Sequence, residues 1–212
     1  MPVALACLAI LALLALLVAA GVTRPVDVAI IDVVRSDALL GPLAFLGPLT
    51  TAGSTEWIAG MAVLVLVVEL VARRPWLGIA AAGTIGLASL LNTGMKDLVQ
   101  RTRPDFLPPL VIEPGYSFPS GHSTLSMVAY GIVALLILHG GLPRWLKVPA
   151  VAALAVLIVL VGLSRVYLGV HFPSDVLGGW LAGAAVVLAF EALVRSRLSP
   201  EVSREASTAP GE

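Results

Sequence analysis

Residues 118–138 read Phe-Pro-Ser-Gly-His-Ser-Thr-Leu-Ser-Met-Val-Ala-Tyr-Gly-Ile-Val-Ala-Leu-Leu-Ile-Leu, a short polar turn followed directly by a long apolar run. A helix needs about 20 mostly apolar residues to cross the hydrocarbon of a bilayer. Pro and Gly in the polar part favour a turn, and Ser can begin a helix. This stretch therefore predicts a membrane helix whose first turn carries polar groups.

Similar apolar runs occur along the whole chain. Together with this one they occupy residues 2–22, 56–72, 76–95, 123–138, 148–163 and 176–194. Gly and Ala are frequent in them, and small residues let helices approach closely in lipid. The fold class expected is all-α, a polytopic membrane protein with one six-helix bundle over residues 1–198. Residues 199–212 are rich in Ser, Pro, Glu and Ala and predict a disordered tail.

The composition supports a membrane protein. Of the 212 residues, 58% are hydrophobic and 12% are charged, with a mean hydropathy of +1.00. Soluble domains carry about 25% charged residues. The formal net charge is zero, so nothing indicates a nucleic-acid partner. No obligate protein partner is evident, and the expected surroundings are the lipid bilayer.

Residues 26–54 separate the first two apolar runs and mix apolar with acidic residues. They include Asp27, Asp32 and Asp37, followed by several Gly and Pro residues. The pattern favours a short amphipathic helix at the outer membrane interface and then a turn-rich return. An irregular loop is the alternative interpretation.

Basic residues in short loops orient membrane proteins, since they accumulate on the cytoplasmic side. Seven lie on the side of the N-terminus: Arg73, Arg74, Arg144, Lys147, Arg195, Arg197 and Arg204. Six lie on the other side: Arg24, Arg35, Lys96, Arg101, Arg103 and Arg165. Three of these six belong to the candidate site described below. The remaining bias predicts a plasma-membrane protein with both termini in the cytoplasm and the site at the outer face.

The first polar group at this outer side runs from Lys96 to Pro104. Residues seven apart lie on nearly the same face of a helix, about 10 Å apart. Lys96 and Arg103 could therefore converge on one anion, with Arg101 pointing elsewhere and Pro104 ending the helix. The alternative is simple anchoring, in which these long side chains reach towards the lipid headgroups.

The second group is the turn before the fourth apolar run, with Ser120, Gly121 and His122. Backbone N–H groups at a helix N-terminus form an anion site, and Gly lets a ligand approach them. The Ser120 hydroxyl can add a donor. The alternative is a serine N-cap with an incidental histidine.

The third group contains Arg165, His171 and Asp175, with Pro173 placed to open the last helix. A carboxylate four residues after a histidine can bond one imidazole nitrogen and leave the other free to attack. Alternatively, Asp175 only complements the helix dipole and His171 is an ordinary loop residue.

The three groups lie on the same side and together supply cations, an amide-rich turn, two histidines and one carboxylate. This set suits phosphoryl transfer, which depends on positioning and on stabilising negative charge. No cluster of carboxylates or cysteines predicts a metal site, so neither a metal nor another cofactor is expected.

These residues resemble the defining motifs of the type 2 phosphatidic acid phosphatase superfamily. The motifs are Lys, six residues and Arg-Pro; Pro-Ser-Gly-His; and Ser-Arg, five residues, His, three residues and Asp. They occur here as Lys96…Arg103-Pro104, Pro119-Ser120-Gly121-His122 and Ser164-Arg165…His171…Asp175. All three match in residue, order and spacing, and the helix pattern extends the resemblance to nearly the whole chain.

The resemblance implies a metal-independent lipid phosphatase with a phosphohistidine intermediate. His171 would attack phosphorus, Asp175 would orient it, and His122 would protonate the leaving oxygen and then activate water. The residues implied to hold the phosphate oxygens are Lys96, Arg103, Ser120, Gly121 and Arg165. Members of the family act on phosphatidic acid, phosphatidylglycerol phosphate or polyprenyl pyrophosphate, and an outward-facing site favours the last.

Other functions fit parts of the same pattern. Vanadium haloperoxidases resemble this family in the anion pocket but are largely soluble. Phosphatases of soluble phosphate esters also resemble it. A non-catalytic lipid-binding membrane protein would need the cations but not the pair of His171 and Asp175.

Overall fold

The structure is a computed structural model that describes residues 2–207, with side chains for residues 2–197. Within that part of the chain all regular elements are helical, which confirms the all-α prediction. The α-helices are α1 Pro2–Ala19, α2 Arg24–Val34, α3 Asp37–Leu40, α4 Leu46–Leu49, α5 Thr55–Val71, α6 Pro75–Val99, α7 Gly121–His139, α8 Arg144–Tyr167 and α9 Pro173–Ser207. A 3₁₀ helix covers Thr50–Gly53.

The long helices correspond to the predicted apolar runs. By length and composition, α1, α6, α7, α8 and α9 can each cross a membrane. The sixth candidate is a bent pair, in which Leu46–Gly53 joins Thr55–Val71 at an angle of 50°. The number of spans over the described residues is therefore five, or six if the bent pair counts as one, in agreement with the sequence.

Small residues bring α9 into close contact with α7. A Cβ atom added to Gly179 would lie 2.7 Å from the Ser120 carbonyl oxygen, and one added to Gly183 would lie 2.6 Å from Met127. Either distance is too short for two non-bonded heavy atoms. Glycine at these two positions therefore lets the first turn of α7 pack directly on α9, which fixes two parts of the candidate site relative to each other.

The segment between α1 and α5 contains the predicted short helix. Helix α2 has Asp27 and Ile31 on its buried side, and it packs against α8 and α9. The turn-rich return then forms α3, α4 and the 3₁₀ helix. This return carries Thr50 to the buried guanidinium of Arg165. The segment is thus part of the wall of the site and more than a connection.

Helix α6 ends earlier than predicted. It stops at Val99, and Gln100 adopts the left-handed conformation with φ of 50°. Arg101 and Arg103 consequently lie outside the helix, and the prediction that Lys96 and Arg103 share a helical face is wrong. The left-handed residue was hidden from sequence analysis because Gly or Asn usually occupies such a position.

Helix α9 continues further than predicted. The backbone remains helical to Ser207, so residues 199–207 are helical where a disordered tail was expected. Glu, Arg and Ala in this stretch have high helix propensity. The rest of the predicted tail, residues 208–212, lies outside the described residues.

Candidate active site

A cavity of about 250 Å³ opens at the end of the bundle where α7 and α9 begin. Its wall includes Lys96 from α6, Gly121 and His122 from α7, and His171 from the loop before α9. Glu113, from the loop between α6 and α7, also lines it. Residues 75 positions apart in sequence, from 96 to 171, are thus brought to one end of the membrane bundle.

The pair of His171 and Asp175 is deeply buried, with exposed fractions of 1% and 0%. Nδ1 of His171 lies 3.4 Å from Oδ2 of Asp175, and the same oxygen accepts a hydrogen bond of 2.9 Å from the Phe172 N–H. The Ser120 N–H donates to the Asp175 carbonyl oxygen at 3.0 Å. The start of α9 therefore holds the imidazole and also binds the turn before α7.

The neighbours of His171 determine its tautomer. Nε2 lies 3.1 Å from Nη1 of Arg103, and a guanidinium can only donate. Nε2 must therefore accept and carry a lone pair, which leaves the proton on Nδ1 for Asp175. Burial lowers the pKa of His171 to about 4, so the ring is neutral at pH 7. A neutral imidazole with an unprotonated Nε2 facing the cavity has the form that a nucleophile requires.

Arg103 and Arg165 reach this end of the bundle from different segments. Arg103 donates to backbone carbonyl oxygens of Pro114, Gly115 and Val170, which fix its guanidinium, and burial lowers its pKa. Arg165 projects from the last turns of α8 with its side chain 2% exposed, and donates to Oγ1 of Thr50 at 2.5 Å. The Nε of Arg165 is buried and has no hydrogen-bond partner among the described residues.

Glu113 lies between these two arginines, and sequence analysis missed it. Its Oε1 accepts from Nη2 of Arg165, and its Oε2 lies 3.1 Å from Nη1 of Arg103 and 3.8 Å from Nε2 of His171. Burial, the largest single influence, would raise the pKa of Glu113, but the charges of Arg165, His171 and His122 and the hydrogen bond from Arg165 together lower it. An ionised carboxylate thus occupies the space between Lys96, Arg103 and Arg165, which we call the anion pocket.

Arg101 occupies the opposite side of the His171–Asp175 pair. Its Nη1 lies 2.5 Å from Oδ1 of Asp175, its Nη2 lies 2.7 Å from Oδ2 of Asp27, and its guanidinium lies 4.0 Å from the Phe172 ring centroid. The prediction that Arg101 points away from the anion pocket agrees with these contacts. Arg101 nevertheless connects two buried carboxylates, which its spacing from Lys96 does not indicate.

Asp27 belongs to the buried cluster around Arg101. After Glu113, it is the second residue whose place in the site sequence analysis missed. It is 2% exposed and accepts from the N–H and hydroxyl of Ser174 at 2.9 and 2.6 Å. Its place near the start of an amphipathic segment was interpreted as interfacial. The available signal was an acidic residue on the apolar face of that helix, which requires a buried cation as partner.

The turn before α7 contributes mainly backbone groups to the site, because the Ser120 side chain is engaged within the turn. Ser120 is the N-cap, and its buried Oγ accepts from the Ser123 N–H at 3.4 Å and from the Ser123 hydroxyl at 3.0 Å. The simple N-cap interpretation thus describes this hydroxyl correctly. Gly121 is close-packed, since an added Cβ would lie 3.3 Å from Nδ2 of Asn92. Nζ of Lys96 donates to the Tyr116 carbonyl oxygen at 2.5 Å, on the same side of the cavity.

The donors in this site suit an anion. Among the described residues, no group of three or more His, Cys, Asp or Glu side chains could hold a metal ion. Three cations, a helix N-terminus and a neutral histidine instead surround one carboxylate. An oxyanion of tetrahedral shape could replace that carboxylate and meet the unpartnered Nε of Arg165.

Two curated proteins similar to this chain are both named as phosphatases. Phosphatidylglycerophosphatase B of Bacillus subtilis is 39% identical over 137 residues, covering 64% of this chain and 66% of that protein. An undecaprenyl-diphosphatase of Sulfolobus acidocaldarius is 36% identical over 117 residues, covering 53% and 52%. The chain thus matches between about half and two thirds of the length of these curated relatives.

A solved structure resembles nearly the whole fold. The crystal structure of a transmembrane PAP2 type phosphatidylglycerolphosphate phosphatase from Bacillus subtilis superposes with a TM-score of 0.82 at 30% identity. The superposition covers 92% of this chain and 98% of that one. The family model of the PAP2 superfamily matches residues 77–198, which are more than half of the chain. These residues contain all three groups of the site. This chain belongs to the PAP2 superfamily.

Proposed function

We propose that this protein is an integral membrane lipid phosphatase that works through a phosphohistidine on His171. The observation that carries the proposal is the placement of the two ring nitrogens of that residue: Nδ1 lies 3.4 Å from Asp175, and Nε2 lies 3.1 Å from Arg103 at the anion pocket. A binding protein needs the cations but has no use for a buried, oriented nucleophile beside them. The same observation therefore favours an enzyme over a non-catalytic lipid-binding protein.

In the first step, the phosphate group replaces Glu113 between Arg103 and Arg165. The lone pair of Nε2 of His171 attacks phosphorus, and the bond from phosphorus to the leaving oxygen breaks. His122, which lines the same cavity, donates a proton to that oxygen. The charge developing on the equatorial oxygens is stabilised by Lys96 and the two arginines.

In the second step, His122 accepts a proton from a water molecule whose oxygen attacks phosphorus. The bond from phosphorus to Nε2 breaks and inorganic phosphate leaves. Asp175 holds the Nδ1 proton in both steps and keeps the ring oriented. The Gly121 amide and the Ser120 turn lie at the N-terminus of α7, where the helix dipole favours the anion. These steps require no metal ion.

A lipid substrate is supported by a second cavity. An apolar cavity of about 340 Å³ between α1, α6, α7 and α9 is lined by residues that include Leu11, Met95 and Thr124. It shares the lining residue Asn92 with the 250 Å³ cavity of the candidate active site. Asn92 accepts from the Thr124 hydroxyl at 2.9 Å, so this boundary is ordered. A lipid whose phosphate group lies at His171 could thus place its apolar chain in the second cavity. A soluble phosphate ester has no such chain.

For substrate and orientation we keep the interpretation made from the sequence. The candidates are polyprenyl diphosphate, phosphatidylglycerol phosphate and phosphatidic acid, and the curated relatives are named for the first two. The site faces outward and both termini are cytoplasmic, as the loop charges predict. Labelling of a single introduced cysteine with a membrane-impermeant reagent in intact cells tests this orientation. Labelling of a cysteine in the 140–143 loop, on the cytoplasmic end, would contradict it.

The decisive experiment measures phosphate release and covalent labelling by purified protein. The panel contains the three lipids and glycerol 3-phosphate as a water-soluble headgroup. We expect hydrolysis of at least one lipid, little of glycerol 3-phosphate, and acid-labile, base-stable ³²P labelling after rapid quenching. His171→Ala should abolish both, and His139→Ala, at the other end of α7, should change neither. Wild-type turnover by the His171 variant would refute the assignment.

A further inference from the structure

We propose that Glu113 is a resident competitor for the anion pocket, and that it keeps singly charged phosphodiesters out while doubly charged phosphate groups, which bind the cations more strongly, still displace it. This inference rests on the proposed function, because it concerns which phosphate groups reach His171. A phosphomonoester or a terminal diphosphate carries close to two negative charges at neutral pH. A phosphodiester, the group in most membrane lipids, carries one.

The position of Glu113 supports competition. Its two oxygens take one guanidinium each, from Arg165 and Arg103, as two oxygens of a phosphate group would. Its Oε2 lies 3.8 Å from Nε2 of His171. A phosphorus atom attacked by Nε2 must come within this distance of it, and a phosphate group held by the same two arginines would occupy the place of the carboxylate, so the two cannot be in the pocket together.

The surroundings of Glu113 allow it to leave. Its side chain is 25% exposed, in contrast to the fully buried Asp175, and the preceding Ile112 is 93% exposed. The loop is tied on both sides, because the Leu110 N–H donates to Leu168 and the Ser117 N–H donates to Arg101. A carboxylate on a short segment between two fixed points can turn outward while the pocket keeps its shape.

The charge of the incoming group decides the exchange. A phosphodiester that replaces Glu113 exchanges one negative charge for another, and the tethered carboxylate competes at an effective concentration in roughly the millimolar range. A dianion brings an additional charge into contact with Arg103 and Arg165. One charge contact of this kind changes an equilibrium by about 10- to 1,000-fold. Glu113 should therefore exclude monoanions and yield to dianions.

The membrane setting makes such exclusion useful. The pocket lies at the end of the bundle, where phosphodiester headgroups of the surrounding lipids are crowded. Lys96, Arg103 and Arg165 without an anion would attract these groups, and the enzyme would be inhibited by its own bilayer. A carboxylate in the pocket removes this inhibition and leaves the doubly charged substrate able to bind.

The first test measures equilibrium binding and needs no turnover. Isothermal titration calorimetry at pH 8 compares diethyl phosphate, a monoanion, with inorganic phosphate, a dianion. Glu113→Gln should bind diethyl phosphate at least about 10-fold more tightly than the wild type. Its affinity for inorganic phosphate should rise as well, because the same competitor has been removed. Glu113→Ala should behave in the same way, and Glu191→Gln, at the other end of the bundle, should match the wild type.

The second test measures hydrolysis of phosphatidic acid in detergent micelles as phosphatidylglycerol is added at constant total lipid and detergent. Phosphatidylglycerol should inhibit Glu113→Gln at a mole fraction about 10-fold lower than it inhibits the wild type. Equal affinity of wild type and both Glu113 variants for diethyl phosphate would overturn the inference. A loss of kcat in Glu113→Gln without tighter binding of diethyl phosphate would also overturn it and make Glu113 part of the chemistry.

The two proposals can fail separately. If the wild type hydrolyses none of the lipids, the proposed function fails while the calorimetry still reports on Glu113. If the wild type is an active lipid phosphatase and the affinity for diethyl phosphate does not depend on Glu113, only the inference fails.

Discussion

Replacing Arg101 should damage catalysis although this residue does not line the cavity. Arg101 contacts Asp175 at 2.5 Å, Asp27 at 2.7 Å and the Ser174 hydroxyl at 2.7 Å. Arg101→Gln would leave two carboxylates, 0% and 2% exposed, without their shared cation. Removing one partner of a buried ion pair costs about 3–5 kcal/mol. We therefore expect a clear drop in the melting temperature.

Activity should fall for a separate reason. Oδ1 of Asp175 is held by Arg101 and Oδ2 orients His171, so loss of the guanidinium releases the carboxylate and misplaces the imidazole. A misplacement of about 1 Å can reduce the rate about 100-fold. We expect kcat for phosphatidic acid hydrolysis to fall by about that factor, with a small change in KM, because the anion pocket keeps its own cations.

A double variant separates stability from catalysis. Arg101→Gln combined with Asp27→Asn removes one positive and one negative charge, so it should recover much of the melting temperature. It should not recover kcat, since Asp175 still lacks its cation. The matched control is Arg24→Gln, whose pair with Asp105 is 3.5 Å apart and largely exposed. Near-normal kcat in Arg101→Gln, or recovery of kcat in the double variant, would refute the positioning role.

Three further outcomes can be measured. Gly179→Ala places a Cβ 2.7 Å from the Ser120 carbonyl oxygen, so it should lower both melting temperature and activity; Gly86→Ala, with open space around it, should not. The His171 ring should be neutral at pH 5.5 in an NMR titration of labelled histidines, because its pKa is about 4 where the ordinary value is 6.5. Its contribution to stability is complete above pH 6.5 and is lost as the pH falls towards 4; a ring titrating near 6.5 would contradict the structure. EDTA should leave phosphate release unchanged, and recovery only with added Mg²⁺ would disprove the cation-only chemistry.

The helices were predictable because hydrocarbon imposes a simple length rule. A run of about 20 apolar residues has few alternatives to a membrane helix, since unpaired backbone groups are costly in lipid. Prediction was weaker where one residue decides the course of the chain. Gln100 in the left-handed conformation ends α6 and directs Arg101 and Arg103 into a non-helical segment. Helical spacing no longer applies there, so both arginines reach the His171–Asp175 pair.

The candidate site was predictable only as far as charge and spacing identify it. Histidines, a carboxylate and cations in the pattern of phosphoryl transfer indicated residues that the fold does bring together. The sequence around Glu113 contains no comparable pattern. A carboxylate would repel a bound phosphate group, so a search for phosphate-binding residues does not select it. Asp27 needed knowledge of a tertiary contact with Ser174, 147 positions away in sequence.

The two nitrogens of His171 face two clusters, and each cluster contains one of two arginines that lie two positions apart in sequence. Oδ1 of Asp175 contacts Nη1 of Arg101. Oδ2 accepts a hydrogen bond of 2.9 Å from the Phe172 N–H and lies 3.4 Å from Nδ1 of His171. A carboxylate that already accepts from a cation and an amide has little tendency to take the ring proton. We therefore expect Asp175 to orient the imidazole without deprotonating it. The lone pair on Nε2 stays directed at the anion pocket, where Arg103, held by three backbone carbonyl oxygens, is already in place for the phosphate of the proposed substrate.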